Sequence, residues 1–168
     1  KSLSPGQTSF ADIQVTGVAW TGSDSGKTDF NSEEAFQYTV TVKNEGSRAV
    51  DEPFFVHLFI DGEFVAKSQV TTLGAKGSAT AEKSVNFPQK PKSGAHTIVV
   101  SADVIDPVHL ELDKSNNTYE AETPLFTVEY PEIIIESVAW EPQETTFAQG
   151  TSLMFSVKLT NISSFRIE

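Results

Sequence analysis

The densest run of oxygen ligands in the chain is Asp103-Val104-Ile105-Asp106-Pro107-Val108-His109-Leu110-Glu111-Leu112-Asp113-Lys114-Ser115-Asn116-Asn117. Calcium takes about six to eight hard oxygens, which a bent loop supplies from carboxylates, amides and backbone carbonyls. Asp103, Asp106, Glu111, Asp113 and Asn116 are therefore the candidate metal ligands, although their spacing is not that of an EF-hand. The plainer role for the same residues, and the expected one, is to bond their own backbone and fix a turn. Trp20 and Trp140 have the flat faces that stack on sugars, yet both close a strand-like run and read more simply as packing plugs. His57, His96 and His109 are scattered, and none carries the carboxylate and nucleophile of a catalytic triad. His96 reads as a strand-initiating residue whose imidazole bonds a neighbour. Glu33-Glu34 and Asp51-Glu52 read as solvent-facing charges, and the N-x-[ST] matches at Asn116 and Asn161 each have a turn explanation. No catalytic or cofactor-binding residue is expected, and calcium is the one cofactor the sequence admits.

Charge narrows the partners. Twelve Lys+Arg against 23 Asp+Glu give a formal charge of −11, which repels nucleic-acid phosphates and anionic lipid at long range. With no cysteine there is no disulfide framework, thiol nucleophile or thiolate metal site. No run approaches the ~18 consecutive apolar residues of a membrane-spanning helix, so direct membrane insertion is not expected, and no basic-then-apolar leader is present. Twelve phenylalanines among recurrent Val, Ile and Thr favour strands, because branched and flat side chains suit a pleated surface.

The elements that would hold these residues are strands near 12–20, 35–43, 54–60, 63–71, 78–87, 95–105 and 118–129, separated by turn residues. Phe36, Tyr38, Val40 and Val42 alternate with Gln37, Thr39, Thr41 and Lys43, the pattern of a half-buried strand. They should share the inner face with Ile98 and Val100. Asp61-Gly62 suits a type I′ hairpin, whose two central residues need positive φ. The prolines fall between or at the edges of the runs. These features predict an all-β, two-sheet antiparallel sandwich over residues 11–129.

The chain also repeats itself. DIQVTGVAW at 12–20 reappears as EIIIESVAW at 132–140, an offset of 120, and FQYTVTVKNEGS at 36–47 as LMFSVKLTNISS at 153–164, an offset of 117. The difference falls in a connection, where insertions cost little. The segment 131–168 thus reads as the first two strands of a second, incomplete copy, reached through a short linker at Glu129-Tyr130-Pro131. Ile133, Ile135, Val138, Trp140, Leu153, Phe155, Val157 and Leu159 give it an apolar face that must fold back on the first sandwich, pair with another molecule or stay disordered. Pairing into a homodimer through 131–168 is the expectation.

The order of a strand ending in Ala-Trp, the Val42-Lys43-Asn44-Glu45-Gly46 segment, the Asp61-Gly62 hairpin, the Gly94-Ala95-His96-Thr97 strand start and the closing acidic loop resembles the CARDB module, the cell-adhesion-related domain found in bacteria and archaea. The resemblance covers about 11–129 completely and 131–168 in part, with Asn161-Ile162-Ser163 departing from Asn-Glu-Gly. It implies an immunoglobulin-like sandwich that serves as a repeated, non-catalytic adhesion or spacer module of a secreted or cell-surface protein. Its ligand would be a protein or a glycan. An accessory carbohydrate-binding module of a secreted hydrolase is the alternative, to be distinguished by glycan binding and by the exposure of Trp20.

Overall fold

The computed structural model describes residues 9–105, 107, 111, 113–144 and 146–163. Alternating apolar residues make the first sheet, in which β1 (Ile13–Trp20), β3 (Phe36–Asn44) and β6 (Glu82–Gln89) run antiparallel in the order β1-β3-β6. The second sheet has the order β5-β4-β7-β8, from β4 (Phe54–Ile60), β5 (Glu63–Val70), β7 (Thr97–Ala102) and β8 (Thr118–Glu122). Their inner faces meet as predicted. Phe36, Tyr38, Val40, Val42, Ile98 and Val100 are all buried, and they pack with Ile13, Val15, Val56 and Leu58. Each such aliphatic side chain stabilises the fold by roughly 1.5–3 kcal/mol on full burial.

Several boundaries differ from the sequence reading, each for a local reason. The strand expected at 78–87 is β6, which begins at Glu82 because Ser78 to Ala81 form a turn closed by an N–H bond from Ala81 to the Ser78 carbonyl. It continues through Pro88, which an edge strand tolerates. The strand expected at 95–105 stops at Ala102, because Asp103 has φ of 53°. The segment 118–129 divides at Thr123-Pro124-Leu125 into β8 and a short β9 (Thr127–Glu129). β9 pairs in parallel with β2 (Asp29–Asn31), a strand the sequence reading lacked, so the sandwich is not wholly antiparallel. That pair holds Phe30 and Phe126 against Phe36, and Trp20 meets the Phe126 ring edge-on at 6.1 Å. Trp20 is thus the packing plug at one end of the core, as expected, whereas Trp140, given the same role by the sequence, is 46% exposed.

Two turn motifs carry more of the fold than their length suggests. Asn44 is fully buried: its Oδ1 accepts the Asp12 N–H at 3.0 Å and the Gly46 N–H at 2.9 Å, and its Nδ2 donates to the Arg48 and Gly74 carbonyls at 2.8 Å each. Gly46 must lack a Cβ, since one there would lie 2.2 Å from the Phe10 carbonyl oxygen. At the other end of the core, Asp61 and Gly62 take φ of 53° and 82°, as a type I′ turn requires. The Asp61 carboxylate accepts the Thr97 N–H at 2.9 Å and bonds His96 Nδ1 at 2.8 Å.

Past Pro131 lies a separate hairpin of β10 (Ile133–Glu141) and β11 (Met154–Asn161). Its side chains do not fold back on the sandwich: Ile135, Phe155, Val157 and Leu159 are more than half exposed.

Two measurements check these assignments. Asn44→Ala leaves the buried Gly46 N–H, the half-buried Asp12 N–H and the Arg48 and Gly74 carbonyls without this partner, so it should cost about 2–3 kcal/mol, read as a fall in the denaturant midpoint. The His96 hydrogen bond, helped by the Thr97 N–H, holds the Asp61 carboxyl below its ordinary value. The stability this gives is present above the unfolded carboxylate range and is lost as pH falls through the folded value. Asp61→Asn keeps the left-handed turn but not the charge, and acid unfolding followed by circular dichroism should then depend less on pH below about 4.

Candidate functional site

The acidic loop folds back on the start of β1. Glu111 forms an isolated parallel bridge with Ala11, and its Oε2 accepts the Ile13 N–H at 2.6 Å. Its Oε1 accepts from Asn117 Nδ2 at 3.0 Å, and that amide nitrogen also donates to the Ala102 carbonyl at 2.9 Å. Asn116 Nδ2 donates to Asp12 Oδ1 at 2.9 Å. Asp113 does what a turn residue does, its Oδ1 accepting from the Ser115 N–H and hydroxyl at 2.8 and 2.6 Å. Asp103 is buried at the end of β7, and its N–H donates to the Phe55 carbonyl.

Of the five predicted ligands, the structure thus couples Asp103 to Glu111, ties Asn116 to Asp12 at the start of β1 and turns Asp113 to a local task. Asp106, with His109, lies outside the described residues. Asn117, which the ligand set omitted, is the residue that organises the cluster. Its position directly after Asn116 in a run of amides was the available signal.

Electrostatics mark the place as unusual. Burial pushes the Glu111 carboxyl up to about 7, and the charge of Asp103 adds to the rise against the bonds from Asn117 and Ile13. The Oδ1 atoms of Asn116 and Asn117 are buried and have no hydrogen-bond partner among the described residues. Glu111, raised in part by the Asp103 charge, and the two amide oxygens without donors are oxygen ligands of the kind a hard cation such as calcium takes. The described residues contain no cluster of three His, Asp or Glu at metal-binding distances, so amides would have to complete the shell.

The other polar candidates have structural duties. His96 bonds Asp61 and, through Nε2, the Lys92 carbonyl at 3.2 Å, as expected of a strand-initiating histidine. His57 is buried in β4 beside Phe55 and Phe64 on the outer side of the second sheet. Glu33 pairs with Lys90 at 2.9 Å, and Glu34 pairs with Lys27.

Two facing sheets, one closed by the buried Asn44 turn and the other by the exposed Asp61-Gly62 turn, define an immunoglobulin-like β-sandwich module. The chain belongs to the CARDB family, whose profile matches residues 10–121. The structure is similar to the CARDB domain of a Pyrococcus furiosus protein solved in complex with di-metal ions, at 23% identity and a TM-score of 0.55, over 73% of this chain and 96% of that one. A solution structure of the same P. furiosus domain gives 22% identity and a TM-score of 0.52, over 71% and 95%. A domain from Methanosarcina acetivorans, named for a cell surface protein, gives 21% identity and a TM-score of 0.54, over 70% and 93%. At these identities the likeness is one of fold. No curated protein matches the sequence.

Proposed function

We propose that this chain is a non-catalytic, extracellular adhesion or spacer module of a bacterial or archaeal surface protein. The observation that carries this reading is the use made of its polar side chains. Asn44, Asp61, His96, Glu111 and Asn117 all hold loops onto strand ends, where they stiffen the sandwich. Membership of a family of adhesion-related modules and the likeness to a domain named for a cell surface protein support it. The packing of Trp20 on Phe126 argues against a sugar platform at that residue. A glycan array is therefore expected to retain the chain no better than a control sandwich. Specific glycan binding that is lost in Trp20→Ala or Trp140→Ala would replace this reading with the carbohydrate-binding one.

Within that role calcium would serve as a structural brace. Bound between Asp103 and Glu111 and accepting the amide oxygens of Asn116 and Asn117, it would offset the burial, and the smaller effect of the Asp103 charge, that raise the Glu111 carboxyl. The di-metal complex of the P. furiosus domain supports testing this chain for the same property. Extracellular modules bind calcium at roughly 0.1–1 mM. For a dissociation constant near the middle of that range, about 5 mM calcium at neutral pH should raise Tm by about 5 °C. The gain should vanish in Asp103→Asn and in Glu111→Gln. An unchanged Tm in scanning calorimetry would leave the cluster as a hydrogen-bonded latch only.

A further inference from the structure

The hairpin β10–β11 reproduces β1–β3 in detail. Ile13, Val15, Val18 and Trp20 pair with Asn44, Val42, Val40 and Tyr38, and Ile133, Ile135, Val138 and Trp140 pair with Asn161, Leu159, Val157 and Phe155. The register slips at the same step, between Val15 and Gly17 in one and between Ile135 and Ser137 in the other. A one-residue bulge is a specific device that redirects a strand, and it is not produced by hydrophobic alternation alone. The closing bonds recur as well. The Glu45 N–H donates to the Asp12 carbonyl at 2.9 Å, and the Ile162 N–H to the Glu132 carbonyl at 2.9 Å. Asn44 Oδ1 accepts the Gly46 N–H, and Asn161 Oδ1 the Ser163 N–H, both at 2.9 Å.

The surroundings differ. Ile13, Val15, Val40, Val42 and Tyr38 are buried under Val56, Leu58, Ile98 and Val100 of the second sheet. Ile133, Ile135, Val157, Leu159 and Phe155 are each more than half exposed. The hairpin's polar side chains already bond one another, Lys158 to Glu136 at 2.8 Å and Thr160 to Glu136 at 2.5 Å. The hairpin is thus amphipathic and carries the side chains of an inner face.

We infer that β10–β11 opens a second sandwich, and that its apolar face is the docking surface for a four-stranded sheet of the β5-β4-β7-β8 kind, supplied by a CARDB unit. The first unit is the template for this occupant. Its own second sheet cannot serve the hairpin, because that sheet's inner face is already closed by β1 and β3. A face-to-face pair of hairpins fits less well. In the first unit the asparagine at the end of β3 donates to carbonyls of the loops after β3 and β5, and the second of these arrives only with the covering sheet. The hairpin departs from the template at Ser163, which replaces Gly46. The Cβ there requires the chain at Tyr130-Pro131 to enter farther from the turn than Phe10-Ala11 does.

The test extends the full chain after Glu168 with a copy of residues 52–129, since Glu168 aligns with Asp51 at the offset of 117. Amide exchange and sedimentation are measured on the original and extended chains. A second extended chain carries Ile135→Val and Leu159→Val, which restore the smaller side chains of the first unit. The expected result is a monomer in which the β11 amides slow by about 10³-fold on extension. Val157→Asp should abolish that gain while leaving β3 protected. Fast exchange at β11 in both extended chains overturns the inference. So does an original chain that is a hairpin-mediated dimer with β11 already protected and that stays dimeric when extended.

Discussion

The structure depends on how the start of the first strand is fixed, and Asn44 does most of that work. A buried amide has two donors and a carbonyl with two lone pairs, and here all four are engaged. They join the residue before β1, the turn after β3 and the loop after β5, segments far apart in sequence. The net gain of each bond is modest, but a missing partner in a dry site costs the full desolvation of the group left behind. The asparagine therefore specifies one arrangement. Gly46 completes the constraint by letting the Phe10–Ala11 backbone pass where a side chain would otherwise stand.

The same strand entry is held from its other side by the acidic loop. Asp12 donates its N–H to Asn44 while its carboxylate accepts from Asn116, and Ile13 donates its N–H to Glu111. A cation accepted by Glu111 and Asp103 would act on the point where preceding chain enters the sandwich. For the proposed spacer role, stiffness at the entry would matter more than a cleft. This is why the functional reading rests on closure.

Much of the fold was legible because strand burial is written with a period of two. Phe36 to Val42 declared its inner face, and Asp61-Gly62 declared its turn through the positive φ that few other pairs accept. The Asn-x-Gly segment was visible as a motif, but its reason was not, because the backbone that Gly46 must clear belongs to residues over thirty positions earlier. β2 was invisible for a related cause. Three residues give no periodicity, and their partner β9 is distant in sequence. The acidic loop showed its ligand types but not its arrangement. Asp113 and Asn116 look alike on paper, yet one bonds Ser115 nearby and the other reaches Asp12 across the chain. Glu111 owes its raised pKa to burial, which depends on packing rather than on neighbours in sequence.

The most direct test of this account is the exchange of the Asn44 side-chain amide protons, followed by NMR alongside the backbone amides of β3. If Asn44 is the knot described, its Nδ2 protons should exchange only through global unfolding, at the same free energy as the Val40 and Val42 amides. Exchange of those protons at rates near those of an exposed asparagine, with β3 still protected, would show that the strand entry is held by something else.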